Sequence, residues 1–335
     1  MSKIYIPEGY KCLLSNNQLQ RAIELIHQEF QHNLTIRLNL HRVSAPLFVD
    51  GSTGLNDDLN GVERPVSFDI PDVGTDGVVV HSLAKWKRLA LKRYEFKPGV
   101  GLYTDMNAIR RDEEVDNIHS IYVDQWDWEK HITEEDRNVE YLKETVKDIS
   151  GCIADTATAL RNMFPQLPFK PERKVTFITT QELEDRYPDL TPNERETAIC
   201  KEFRTVFLMQ IGGKLKSGKP HDGRAPDYDD WSLNGDLLMW NPVLESRFEL
   251  SSMGIRVNAE SLDRQLNERG CNERRKFPFH QMLLNNELPQ AIGGGIGMSR
   301  LCMLLLGTCH IGEVQASLWD KDTIAACETA GITLL

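Results

Sequence analysis

An α+β fold, with a mixed, mainly antiparallel sheet flanked by helices, is predicted by two features of the sequence. Its second half carries five short apolar strand candidates: KVTFIT (174–179), TVFLMQI (205–211), DLLMWN (236–241), FELSSMGIRV (248–257) and LPQAIGGGIG (288–297). Polar loops or short helices separate them, not the regular crossover helices that a doubly wound parallel sheet needs. With no repeat, low-complexity tract or long linker in its 335 residues, the chain reads as a single domain over 1–335.

Taken in order, the first element is an amphipathic helix from about Asn16 to Gln31, with Leu19, Ile23, Ile26 and Phe30 on one stripe. Leu34, Ile36, Leu38 and Leu40 then alternate with Thr35, Arg37, Asn39 and His41. That period of two predicts a half-buried strand, ended or placed at an edge by Pro46. Ser82 is a cap candidate for a helix reaching Arg93. TEED at Thr133 carries a capping-box signal for a long helix to Met163, and TPNE at Thr191 opens another. YVDQWDW reads as a strand with Tyr122, Trp126 and Trp128 on one face and Gln125 and Asp127 on the other. The apolar run LCMLLL (301–306) is a helix fed by the last glycine-rich strand.

Composition bounds the function. At 40% hydrophobic and 27% charged the chain is of ordinary soluble globular type, with no apolar run near the roughly 20 residues of a membrane helix. MSKIYIPEGYKC lacks the apolar centre of a secretory signal. Seven cysteines, odd in number and never spaced CxxC, suit free thiols in a reducing cytoplasm. A net charge of −11 argues against nucleic acid as a partner and suits acidic residues that hold Mg²⁺.

Two glycine motifs fail as phosphate loops. GKLKSGK (213–219) matches part of a Walker loop, but Pro220 stands where a hydroxyl must bind Mg²⁺. A GxGxxG pattern begun at Gly293 or Gly295 meets Met298 or Arg300 at its third glycine. What remains is a glycine strand leading through Ser299 and Arg300 into an apolar helix. Glycines there would let a flat ligand lie on the backbone, and the planar arginine cation would stack on a base or bind phosphate.

GGGIGMSRLCMLLL resembles motif 3 of class II aminoacyl-tRNA synthetases, the aspartyl and asparaginyl branch in particular. LNLHRVSAPLF is similar to motif 1, with Pro46 at the dimer-interface proline, and AIRRDEEVDNIHSIYVDQWDWE is similar to motif 2. HSLAKWKR resembles the segment with which aspartyl-tRNA synthetases hold aspartate. Together with RAPDYDDWS, LNGDLLMWNPVLE and FELSSMGIRV, these segments look like the ammonia-dependent asparagine synthetases, over nearly the whole chain. The resemblance implies a class II synthetase catalytic core without an anticodon-binding domain. It implies L-aspartate, ATP and ammonia as substrates, a β-aspartyl-adenylate intermediate, AMP and pyrophosphate as products, Mg²⁺ as cofactor, and a homodimer through the motif 1 region.

It also implies roles for particular residues. Arg110, with Arg111 as the alternative, would bind the α-phosphate and the reacting carboxylate. Arg300 would meet the nucleotide from the motif 3 side, with Ser251 or Ser252, Gly295 and Gly297. Glu249 and Asp236, on neighbouring strands, would hold Mg²⁺. Lys87 would bind a substrate carboxylate, supported by Ser82, while Asp127 meets the ammonium group and Gln125 the reacting end. Asp229 and Arg224 match further active-site positions. Asp57 is placed to orient ammonium and take its proton, with Asp58 beside it leaving the register open. The first cysteine is Cys12 and residue 2 is Ser2, so an N-terminal cysteine glutaminase is not expected and free ammonia is the nitrogen donor. A minimal aspartyl- or asparaginyl-tRNA synthetase, or a paralogue that binds ATP or an amino acid without turnover, is the alternative.

Overall fold

The computed structural model describes residues 4–57, 59 and 63–335, which leaves Ser2 and Asp58 outside the described residues. The chain opens with α1 (Asn16–Leu38), β1 (Leu40–Arg42), β2 (Phe48–Asp50), β3 (Ser67–Ile70) and β4 (Thr75–Val79). There follow α2 (Ala84–Arg93), the long strands β5 (Gly101–Ile109) and β6 (Tyr122–His131), and α3 (Val139–Met163). Next come β7 (Thr176–Thr179), α4 (Thr180–Arg186), α5 (Pro192–Phe203), β8 (Thr205–Met209), β9 (Asp229–Asn241) and β10 (Ser246–Arg256). The chain closes with α6 (Ala259–Arg269), α7 (Pro278–Leu284), β11 (Ala291–Gly297), α8 (Met298–Leu306) and α9 (Lys321–Thr329).

Eight strands make one sheet in the order β1-β5-β6-β11-β10-β9-β8-β7, and β2-β4-β3 make a small second one. Within the large sheet the outer pairs β1/β5 and β7/β8 are parallel and the five inner pairs are antiparallel. That is the mixed, mainly antiparallel sheet the strand spacing predicts. Alternation then separates its two faces. Trp126 and Trp128 of β6, Met253 and Ile255 of β10, and Ile292 and Ile296 of β11 enter the main core with α1, α3 and α8. The intervening residues of the same three strands face the other way, into a polar cleft.

The first helix runs past its expected end and absorbs the expected strand. Leu19, Ala22, Ile26, Phe30, Leu34 and Leu38 form one buried stripe at helical spacing. Leu34 and Leu38 satisfy both a period of two and a step of four, so the short alternation is ambiguous. Ile36 decides the matter: it is 65% exposed, whereas a strand would bury it with Leu34 and Leu38. A capping box between Ser15 and Gln18 starts the helix, and Asn39, in the left-handed conformation that asparagine tolerates, ends it. Only Leu40–Arg42 remains as strand. Leu34→Ala is therefore expected to cost about 2–5 kcal/mol and Ile36→Ala within about 0.5 kcal/mol, measured by denaturant unfolding. Equal losses at the two positions would contradict this packing.

Other boundaries also shift. Thr133 and Asp136 make the reciprocal bonds of a capping box, but around a turn, and α3 starts six residues later, at Val139, capped by Asn138. Ser82 Oγ accepts from Ala84 N at 3.1 Å, one residue ahead of the Leu83 cap. β9 runs without interruption from Asp229, so the WSLNG stretch is strand, not loop. Among the described residues, no helix is long and apolar enough to cross a membrane.

Candidate active site

A cleft of about 370 Å³ opens over the middle of the sheet, a size suited to a small ligand. Nearly every expected site residue lines it: Asp57, Ser82, Lys87, Arg110, Gln125, Asp127, Asp229, Glu249, Ser251, Ser252, Gly295, Gly297 and Arg300. These come from four strands, two helices and three loops, and strand register explains much of the convergence. β6 and β11 pair Gln125 with Gly297, Asp127 with Gly295 and Glu129 with Gly293. β10 and β11 pair Ser252 with Gly295 and Gly254 with Gly293. Alternate residues of these strands therefore look into the cleft.

The glycines of β11 are required for a reason other than a ligand resting on bare backbone. A side chain at Gly293 would overlap Glu129 and Arg256, and one at Gly295 would overlap the Gln125 amide. A Cβ at Gly297 would lie 3.1 Å from the Cβ of Arg300. The space over the strand is filled by the cleft's own polar groups, which the glycines let sink onto the sheet. Gly295→Ala displaces Gln125, the flexible end of a side chain, so stability should change little. Turnover should fall by about ten- to a hundredfold, the effect of a positioning error near 1 Å. Steady-state kinetics beside a thermal melt checks this, and unchanged turnover would detach Gln125 from the chemistry.

Lys87 is only 1% exposed, and its ammonium donates to the Asp127 carboxylate and, at 2.9 Å, to Gly294 O. Burial pulls its pKa below the ordinary lysine value, against the attraction of Asp127. Its helical neighbours point elsewhere, as spacing requires. Lys85 reaches Asp227 at 3.4 Å, and Arg88 bonds the carbonyls of Val257 and Pro289. Asp127 Oδ2, buried, has no hydrogen-bond partner among the described residues.

Arg110 and Arg300 converge from the loop after β5 and the first turn of α8. Arg110 approaches Glu113 at 3.9 Å, and its side chain is 25% exposed against 47% for Arg111. Arg300 donates to Glu249 O at 2.9 Å. Burial lowers the Arg300 pKa and the nearby Arg110 cation lowers it further, with Glu249 opposing them. Burial would raise Glu249, but Arg300, then Arg224, Arg247 and Arg110, outweigh it and hold this carboxylate below its usual range. Two guanidiniums held close around one carboxylate offer cationic charge to an anion entering between them.

Asp236 departs from expectation. It does not line the cleft; Arg224 stands in front of it and binds one of its oxygens. Burial, with repulsion from Glu249, pushes the Asp236 pKa up despite that arginine. Its Oδ1 has no hydrogen-bond partner among the described residues. Asp229 is likewise committed, to Arg256. Register places Ser252 on the cleft face and Ser251, opposite Ile296, on the core face. Asp57, 2% exposed, accepts from Leu59 N at 3.0 Å, while its carbonyl meets His81 Nδ1 at 2.9 Å.

Sequence reasoning missed the ion triad beneath these groups. Arg256 binds Glu129 through two nitrogens at 2.6–3.1 Å and also binds Asp229, and all three are at most 2% exposed. The signal was available: Glu129 continues the 125, 127 alternation, and Arg256 ends an apolar strand where a cation needs a partner.

The family model described as aspartate-ammonia ligase matches residues 17–331. A Clostridium perfringens protein (strain 13) named aspartate–ammonia ligase is 61% identical over 336 residues, covering 100% of both chains. A Lactobacillus johnsonii protein of the same name is 59% identical, covering 99% of each. Among solved structures, asparaginyl-tRNA synthetase from Pyrococcus horikoshii, complexed with asparaginyl-adenylate, superposes with a TM-score of 0.66 at 14% identity. The match covers 91% of this chain and 70% of that one. That likeness shows the fold, the catalytic core of the class II aminoacyl-tRNA synthetases.

Proposed function

The chain belongs to the aspartate–ammonia ligase family, and from that premise we propose that it joins L-aspartate and free ammonia into L-asparagine, activating the side-chain carboxylate with ATP. A carboxylate is a poor electrophile, because its charge is delocalised and oxide is a poor leaving group. In the proposed first half, a β-carboxylate oxygen attacks the α-phosphorus and pyrophosphate departs, giving β-aspartyl-adenylate. In the second, the nitrogen lone pair attacks the carbonyl carbon of the activated side-chain carboxyl group and the C–O bond to AMP breaks. The proton shed by nitrogen passes to Asp57.

The observation that carries this reading is the placement of Arg110 and Arg300 around Glu249 in the same cleft as Lys87, Gln125 and Asp127. Adenylation brings one anion onto another, so catalysis consists mainly of charge neutralisation and positioning. In this account Arg110 spans the α-phosphate and the attacking carboxylate, and Arg300 holds the nucleotide. Lys87 and Asp127, which bind each other, present one cation and one anion to an amino acid that carries both charges. Gln125 orients the reacting end.

The donor set also fits Mg²⁺. Glu249, a carboxylate held below its usual pKa range, would supply a hard oxygen, and Asp236 Oδ1, without a hydrogen-bond partner among the described residues, would join it from the neighbouring strand if Arg224 gave way. Among the described residues no three His, Cys, Asp or Glu side chains converge as a metal cage. A cation there would take its remaining oxygens from phosphate and water, neutralising charge on the phosphates. The whole chain would act as one catalytic domain. Exposed Leu47, Phe48 and Phe68 beside Pro46 support a homodimer through that region.

Aspartate-dependent exchange of labelled pyrophosphate into ATP, without ammonia, tests the first half. Exchange, followed by asparagine and AMP when ammonium is added, is expected. Asparagine formed with ADP and phosphate would exclude adenylation, and charging of tRNA would favour the synthetase alternative.

A further inference from the structure

Ile118 and Ile311 both line the cleft, and a bond from Ile311 N to Asn117 O at 2.8 Å sets them side by side. Gln315, 4% exposed, lines the same cleft, and its amide Oε1 is buried with no hydrogen-bond partner among the described residues. Leaving such an acceptor dry and unpaired is unfavourable, so it marks a place where a donor is expected.

The orientation of the amide follows from the bonds behind it. Asp124 accepts from Ser299 N at 3.0 Å and from Ser299 Oγ at 2.6 Å. A carboxylate has no proton to give, so the single Ser299 hydroxyl proton is spent on Asp124. Ser299 Oγ is then only an acceptor towards Gln315, and the Gln315 Nε2 at 3.0 Å must be the donor. Turning the amide over would set two acceptors against each other. The chain Asp124–Ser299–Gln315 thus fixes Oε1 as the end of the amide turned away from Ser299, an acceptor of fixed sense.

We infer that Gln315 selects the base of the nucleotide, its Oε1 accepting a proton from the exocyclic amine of adenine while Ile118 and Ile311 cover the ring. This rests on the proposed use of ATP and adds what the cleft demands of the base. A purine with a carbonyl at that position would oppose acceptor to acceptor, and one with only hydrogen there would leave Oε1 unpaired. Sites built to hydrogen-bond a group reject analogues that lack it more strongly than apolar sites reject a change of size. Gln315 is a specificity residue in this scheme, remote from the reacting atoms.

The test compares calorimetric affinities for ATP, purine riboside triphosphate (no amine) and inosine triphosphate (carbonyl for amine). For the wild-type protein ATP is expected to bind at least about tenfold more tightly than either analogue. Gln315→Met is expected to lose that preference by weakening ATP alone. Ser299→Ala frees the amide to turn, so inosine triphosphate should gain on ATP while purine riboside triphosphate does not. Equal wild-type affinities for the three nucleotides, or an unchanged ratio in Gln315→Met, would overturn the inference. The wild-type comparison needs no variant to fold. Base preference without asparagine formation would count against the proposed reaction alone. Asparagine made equally well from ATP and purine riboside triphosphate would count against Gln315 alone.

Discussion

Arg110→Ala should lower the rate of asparagine formation by about 10²–10³-fold while leaving the fold intact. The magnitude is that of removing one preorganised charge donor from a developing anion. The fold should survive because Arg110 sits on a partly exposed loop, with Glu113 at 3.9 Å as its ion partner. Removing the cation also relieves Arg300 of a repulsive neighbour, so nucleotide binding should weaken less than turnover. Single-turnover measurements with saturating ATP separate the two effects. Arg111→Ala is the control, expected to lie close to wild type because its side chain is more exposed. A large loss at Arg111 with none at Arg110 would reverse the assignment.

Arg256→Met should be the most destabilising change near the site, by about 3–5 kcal/mol, because it leaves Glu129 and Asp229 buried without their cation. The attraction of those two carboxylates outweighs burial and holds the Arg256 pKa above the ordinary arginine value. Neutralising the partners as well, in Arg256→Met with Glu129→Gln and Asp229→Asn, should restore much of the stability but little of the activity. Denaturant midpoints of the single and triple variants decide it. If the single variant were as stable as wild type, the triad would not be the support beneath the cleft floor that its geometry indicates.

How much of this was legible in the sequence varies with the range of the interaction. Strand alternation alone separated Gln125 and Asp127 from Trp126 and Trp128, because that period is local and the two faces differ in polarity. Helical spacing likewise turned Lys87 away from Lys85 and Arg88. The strand expected at Leu34–His41 failed because four alternating apolar positions fit a buried helical stripe equally well. β5, which carries the chain up to Arg110, was not singled out, since GLYTDMNAI mixes polar and apolar residues. In the site, residue types and order pointed to residues that share one cleft but could not show which charges are spent on each other. Asp229 is held by Arg256 and Asp236 by Arg224, pairings that join residues far apart or concealed by a bulge. The acceptor on Gln315 is a further case, because its sense depends on a chain of bonds through Ser299 to Asp124.

The most direct measurement starts from L-aspartate carrying ¹⁸O in both side-chain carboxylate oxygens, turned over with ATP and ammonium. If Arg110 and Arg300 bring that carboxylate onto the α-phosphorus, one ¹⁸O atom should appear in the phosphate of each AMP released and none in pyrophosphate. Label found in inorganic phosphate or pyrophosphate, with AMP unlabelled, would contradict attack at the α-phosphorus and with it the reading of the cleft.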